Sequence, residues 1–234
     1  MEFLSEVQYL EKYGPPSALY ENEINNLIKL ARPTKNDVFY DLGSGHGDVV
    51  RHFYAKSKVS QAVGLEAIHK RFLISIEKTR DEFTRNTKNI DFWCTPFQDY
   101  NFSDATIIYC GIDEISNNSK ADDLQKNLFN GYFSTKKIKI IKRDLPLVGY
   151  KAIKSIKDRH GSWFFLMNSP LNEYIIENKQ KWIQSVLGKK GKTTHDLAKY
   201  ITQQHQKRGF LSSNHKIVEF CKNFERIAKK RFVC

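Results

Sequence analysis

Nowhere in these 234 residues is there a run approaching the roughly 20 apolar side chains that a bilayer crossing needs. The opening MEFLSEVQYLEKYG lacks the basic-then-apolar order of a secretory leader, so the chain is read as cytoplasmic, with no membrane partner expected. Cysteine is scarce as well. Cys94, Cys110, Cys221 and Cys234 show neither CxxC pairing nor a metal-ligand rhythm with histidine, and no metal site is expected. Cys94 and Cys110 end apolar, strand-like runs, which favours buried free thiols. Internal repeats and low-complexity tracts are absent too.

What the chain does have is positive charge, and most of it lies at one end. Residues 1–178 hold 24 Lys+Arg against 23 Asp+Glu, a net of +1, while residues 179–234 hold 14 against 3, a net of +11. A basic block on a near-neutral body points to an acidic partner, nucleic acid being the commonest, with a solvated face that aids solubility as the plain alternative. At this length one domain with an appendage is expected: a loop and helix over 1–35, a catalytic domain over 36–178 and a basic helical extension over 179–234.

Apolar periodicity supplies the elements. Ile24, Leu27, Ile28 and Ala31 form the stripe of a helix over Asn22–Ala31, which Pro33 ends. Asp37–Asp48 then runs strand into glycine loop, with a helix over Val49–Lys56 after it. QAVGLE (Gln61–Glu66), NIDFWC (Asn89–Cys94), DATIIYC (Asp104–Cys110) and KKIKIIK (Lys136–Lys142) read as further strands, with helices at His69–Asn86 and Lys120–Asn130. A hairpin around Asp158–Gly161 supplies the last two strands. Strands alternating with helices and ending in an antiparallel hairpin describe an α/β, doubly wound, Rossmann-like, seven-stranded sheet with an altered edge. In SWFFLM, alternate residues should face the core.

The loop Gly43-Ser44-Gly45-His46-Gly47 follows a strand and precedes a helix, where a ligand is expected beyond the strand's carboxyl end. It is not a P-loop, because GxxxxGK[ST] is missing. Nor is it the dinucleotide GxGxxG, because Asp48 stands where the third glycine belongs. GxGxG preceded by Asp41 fits the S-adenosyl-L-methionine pattern better. Glu66 ends the next strand, 23 residues past Gly43, where a carboxylate can accept both ribose hydroxyls. Phe97, in TPFQDY, can stack beside adenine or simply pack the core. His46 is expected to be an exposed loop residue and not a catalytic base.

Taken together, LYENEINNLIKL, DVFYDLGSGHGDVV, VGLE, TPFQDY, DATIIY, KRDLPL and SWFFLMNSPLNEYIIEN resemble the disruptor-of-telomeric-silencing family, the non-SET histone lysine methyltransferases. The resemblance spans about Leu19 to Asn178. It implies that Asp41, Gly43, Ser44, Gly45, Gly47 and Glu66 hold the cofactor, that Tyr20 covers it, and that Phe97 flanks adenine. The family's Tyr-Gly-Glu is Tyr20-Glu21-Asn22 here, its acid before the adenine-side phenylalanine is Pro96, and its Asn-Asn-Phe is replaced by Gly111-Ile112-Asp113. Tyr20 and Tyr109, with Trp163-Phe164-Phe165, are the candidates to line a lysine channel.

The expected activity is methylation of lysine on a basic or nucleic-acid-associated protein. Methylation of RNA or DNA, and a catalytically retired nucleic-acid-binding module, stand as alternatives. In the extension, Thr193 or Thr194 can cap one helix and Ser212 or Ser213 another running to about Arg231. Ile217, Phe220, Cys221, Phe224, Ile227 and Ala228 form the apolar stripe of the second. Lys222, Arg226, Lys229 and Lys230 lie largely off that stripe and are the candidate nucleic-acid contacts. A chain ending near Asn178 should fold, unless the stripe docks on what precedes it.

Overall fold

The computed structural model describes residues 18–83, 88–101, 103–111, 137–188, 191, 193–207 and 214–232. Helix α1 is Glu21–Ala31, strand β1 Val38–Leu42, α2 Asp48–Lys56, β2 Gln61–Glu66, α3 His69–Glu82, β3 Ile90–Cys94 and β4 Ile107–Cys110. Then come β5 Lys139–Arg143, β6 Lys154–Lys157, β7 Trp163–Asn168, α4 Lys179–Leu187, α5 Thr194–Lys207 and α6 Asn214–Arg231. The expected helix at Lys120–Asn130 lies outside the described residues, as do Ile112, Asp113, Ser212 and Ser213.

The strands form one seven-stranded sheet in the order β3-β2-β1-β4-β5-β7-β6. β1 pairs in parallel with β2 and β4, β2 pairs in parallel with β3, and β6 with β7 is antiparallel. This is the expected α/β architecture. Most of β1, β2 and β4 is buried on both faces, which is why their sequences are nearly continuous apolar runs instead of alternating ones. The same holds for β7. Phe164, Phe165, Leu166 and Met167 are all buried, so the alternation expected of SWFFLM is replaced by burial on both faces.

Contacts divide the chain into two compact units, Met1–Ile112 with Lys136–Ile141, and Asp113–Thr135 with Lys142–Cys234. In the first, Phe39 of β1 stacks on Phe53 of α2 with ring centroids 3.8 Å apart, and Leu27, Val50, Leu65 and Ile107 are fully buried around them. At the foot of β1, Asp37 accepts hydrogen bonds from the Thr34 and Thr106 hydroxyls and pairs with Lys139.

In the second unit the three C-terminal helices share one apolar cluster. Trp182 and Ile183 of α4, Leu197, Ala198 and Ile201 of α5, and Phe220, Phe224, Ile227 and Ala228 of α6 close over Leu145 and Val148. Trp182 is wholly buried, and its indole N–H donates to the carbonyls of Leu147 (3.1 Å) and Tyr150 (3.2 Å). The boundary expected at 178/179 therefore falls inside this unit. The caveat on truncation is met: the α6 stripe does dock on earlier residues, so a chain cut at Asn178 would expose Leu145 and Val148.

Several elements differ from the sequence expectation, among them strand β4, which begins at Ile107 instead of Asp104. Helix α3 ends at Glu82, with the Phe83 N–H donating to the Thr79 carbonyl, and not at Asn86. Strand β5 begins at Lys139 instead of Lys136. Helix α4, absent from the sequence reading, packs Trp182 and Ile183 into the cluster, with Val186 and Leu187 partly buried against it. Asn178 caps it by accepting the Lys181 N–H, and Thr193 caps α5 through reciprocal bonds with Asp196.

Candidate cofactor site

Beyond the end of β1, Gly43, Gly45 and Gly47 all take left-handed backbone angles, with φ of 82°, 57° and 76°. They coil the chain so that its N–H groups face β2. The amides of Gly43 and Ser44 both donate to the Leu65 carbonyl at 2.9 Å, and the amide of Gly45 donates to Glu66 Oε2 at 2.8 Å. The other carboxylate oxygen of Glu66 accepts the Ile68 N–H at 2.8 Å. Glu66 therefore fixes the loop itself, a role its spacing alone did not reveal. The Ala67 amide bonds to Glu66 too, so three amides engage a carboxylate that has about four acceptor sites, which leaves capacity for a ligand hydroxyl.

Gly45 leaves open space. A Cβ placed there would meet nothing within 4 Å, although its φ already disfavours a side chain. Gly64 is the opposite case, since a Cβ would lie 2.6 Å from the Phe92 ring and 2.7 Å from Ser44 Oγ. Close packing of Phe92 thus fixes glycine at 64. Ser44 itself is buried, and its hydroxyl has no hydrogen-bond partner among the described residues.

Beneath the loop lies a residue that sequence reasoning passed over. Arg51 of α2 is buried, and its guanidinium donates to the His46 carbonyl (2.8 Å), to Asp48 and to Glu82 Oε2 of α3 (2.8 Å). It ties the loop to two helices. An arginine three residues into a helix after a glycine loop carries no distinguishing signal, because its partners meet only in the fold. His46 is exposed, as expected.

Asp41 and Glu66 are both buried. Burial, reinforced by the Glu66 charge, pushes the Asp41 carboxyl up to about 8. Burial also raises Glu66, while the amides of Ile68 and Gly45 and the charge of Arg71 hold it down. Two buried carboxylates at adjacent strand ends call for a cation and hydroxyl donors. S-adenosyl-L-methionine offers both, as an ammonium and a ribose diol, so these residues fit that cofactor.

In the β1–β4 ladder Tyr109 pairs with Asp41 and is itself buried. A Cβ on Gly111 would fall 2.8 Å from the Tyr109 hydroxyl, so glycine at 111 leaves that hydroxyl its position. Tyr20 is 56% exposed and precedes α1, with its amide bonded to Glu23 Oε2 at 2.9 Å. Phe97, in the short 3-10 turn Phe97–Asp99, is buried. Cys110 is buried and Cys94 half-buried, both as free thiols. Among the described residues no group of side chains could hold a metal ion, and no helix is long and apolar enough to cross a membrane.

The profile of the family described as histone methylation protein DOT1 matches residues 7–140, more than half of the chain. The chain belongs to that family. It is an S-adenosyl-L-methionine-dependent methyltransferase with a Rossmann-like seven-stranded sheet. No curated protein matches it. Among solved structures, it is similar in fold to an RNA methyltransferase from Salinibacter ruber in complex with S-adenosyl-L-homocysteine. That likeness has a TM-score of 0.58 at 18% identity and covers 69% of this chain and 98% of the other. It is also similar to the Bacillus subtilis m1A22 tRNA methyltransferase TrmK, with a TM-score of 0.52 at 14% identity, covering 89% of this chain and 97% of the other.

On α6, Lys222 and Lys229 are exposed and Arg226 is half-buried, while the side chain of Lys230 lies outside the described residues. Trp163 is half-buried, with its ring stacked on Phe165 at 6.1 Å.

Proposed function

We propose that this methyltransferase is a protein lysine N-methyltransferase acting on a basic or nucleic-acid-associated protein, with nucleic acid held by the basic C-terminal helices. The match of residues 7–140 to a histone methylation family carries this reading. In it, Asp41 receives the cofactor's ammonium, Glu66 accepts its ribose hydroxyls, and Gly43, Ser44, Gly45 and Gly47 let the backbone close on its body. Phe97 borders adenine.

The cofactor supplies a methyl group on a sulfonium, already activated for in-line displacement. The protein's tasks are therefore alignment and exclusion of water. A lysine ammonium must shed a proton before it can attack, and a dry channel favours the neutral amine. Tyr109, buried beside Asp41, and Tyr20, at the head of α1, are the groups assigned to orient that amine.

The test is incubation with labelled cofactor and a nucleoid or histone fraction, followed by mass spectrometry of the product. Methyl increments on lysine ε-amines are expected. Label recovered only in nuclease-sensitive material would move the reading to RNA or DNA methylation. That second reading draws support from the RNA methyltransferase whose fold likeness extends over 89% of this chain.

A further inference from the structure

Counting charge along the chain hides a second basic surface. Residues 149–161 contain Lys151, Lys154, Lys157 and Arg159 against a single acid, Asp158. All four cations are exposed, and Asp158 is turned inward, where it is buried and accepts the Ser162 N–H at 2.7 Å. Three of them, Lys154, Lys157 and Arg159, lie on β6 or the turn after it, and β6 is the outermost strand of the sheet. Lys151 counts for less, because its N–H donates to the Tyr174 carbonyl, next to the exposed Glu173.

The segment that leads into β6, Gly149 and Tyr150, meets the C-terminal end of α6. Arg231 Nη1 donates to the Tyr150 hydroxyl at 2.8 Å, and its guanidinium stands 5.3 Å from that ring's centroid. A Cβ on Gly149 would lie 3.8 Å from Arg231 Cβ. Exposed Lys229 is on the last turns of the same helix.

We infer that the β6–β7 hairpin edge and the C-terminal half of α6 form one continuous surface for the phosphate backbone of duplex DNA. The inference rests on the proposed nucleic-acid partner and adds Lys154, Lys157 and Arg159 to it. Cations without a free stacking ring suit a duplex better than a single strand, which binds through exposed aromatics. Here Lys157 lies over the half-buried Trp163, 5.8 Å from its centroid, and Tyr150 is engaged by Arg231. Edge lysines also guard a sheet against pairing with another chain. Replacing them with glutamate keeps that guard and removes the attraction to phosphate, along with two exposed contacts, Lys157 over Trp163 and Arg159 to His160.

The experiment compares duplex DNA binding across salt concentrations for the wild type, for Lys154→Glu/Lys157→Glu/Arg159→Glu, and for Lys222→Glu/Lys229→Glu. A Lys154→Gln/Lys157→Gln/Arg159→Gln variant replaces the first if it does not fold. The hairpin variant should lose about 2.7 from its log–log salt slope, at about 0.9 per phosphate contact. Its melting temperature and its affinity for S-adenosyl-L-homocysteine should stay at wild-type values. An unchanged slope in the hairpin variant, with binding weakened in the α6 variant, would overturn this inference and leave the nucleic-acid partner standing. No duplex binding by the wild type at low salt would sink both. Binding to polyglutamate but not to DNA would assign the surface to an acidic protein.

Discussion

Both compact units bury an apolar core, and they differ in the charge that each places beside it. In the first, the strand ends bury carboxylates, Asp41 and Glu66, at the mouth of the glycine loop. In the second, α4, α5 and α6 bury Trp182, Phe224 and Phe232 and leave Lys222 and Lys229 in solvent. Without a ligand, the first arrangement is electrostatically costly, and a cationic ligand relieves that cost. The second gains its stability from apolar burial and leaves its charge free for a partner. A cofactor site and the proposed surface for a polyanion would make these different demands on one chain, and their residues fall in separate units.

The largest effect should come from the apolar side of this comparison. Trp182→Ala removes a wholly buried ring that stacks on Phe224 at 5.7 Å and two hydrogen bonds to carbonyls that would be left buried. Denaturant unfolding should show a loss of about 3–5 kcal/mol. A chain ending at Asn178 should behave worse still. Near-wild-type stability in either would mean that the helices are an appendage and not part of the unit's core.

On the polar side the sign is reversed. Asp41 has a folded value of about 8 against an ordinary 3.8, so the native state holds its proton more tightly than the unfolded chain. The resulting stabilisation is fully present below pH about 4 and is lost as pH rises through about 8, by at most about 1.4 kcal/mol per pH unit. Asp41→Asn should flatten that decline and stabilise the ligand-free protein at pH 8, while weakening cofactor binding. Thermal melts from pH 5 to 8.5 check this, and a wild-type profile that matches Asp41→Asn would refute the assignment of the titrating group.

A smaller loss is expected from Arg51→Leu. The guanidinium's bonds to the His46 carbonyl, Asp48 and Glu82 vanish, but both acids have half-exposed side chains and regain water. Stability should fall by about 1–3 kcal/mol. Calorimetry at a temperature where the variant is fully folded should show weaker binding of S-adenosyl-L-homocysteine, because the loop has lost one of its two side-chain anchors. Undiminished binding would mean that Glu66 and the Leu65 carbonyl suffice to hold the loop. The smallest change in stability belongs to Gly45→Ala, about 1–2 kcal/mol from the left-handed backbone alone, since the methyl group meets nothing. Its larger effect should be on cofactor affinity.

How much of this could be read along the chain follows from where the determinants lie. Strand β2 matches QAVGLE residue for residue, and Asp41 and Glu66 were found because strand, glycine loop and strand-end acid are local signals. Arg51 escaped notice because its value depends on Glu82, 31 residues away. Helix α4 was legible, since Trp182, Ile183, Val186 and Leu187 stand at helical spacing, but its lysines drew the reading toward charge instead of periodicity. The hairpin cations were hidden by averaging, since acids elsewhere in residues 1–178 cancel them. The proximity of Arg231 to Tyr150 spans 81 residues and could come only from the fold.

The most direct test of the cofactor site is calorimetry of S-adenosyl-L-homocysteine with the wild type and with Glu66→Ala. Glu66 holds the Gly45 amide and is the proposed acceptor of the ribose hydroxyls, so its removal should weaken binding by about 1.5–3 kcal/mol. NADH should not bind to either protein. Undiminished affinity in Glu66→Ala, or binding of NADH in place of S-adenosyl-L-homocysteine, would contradict the account.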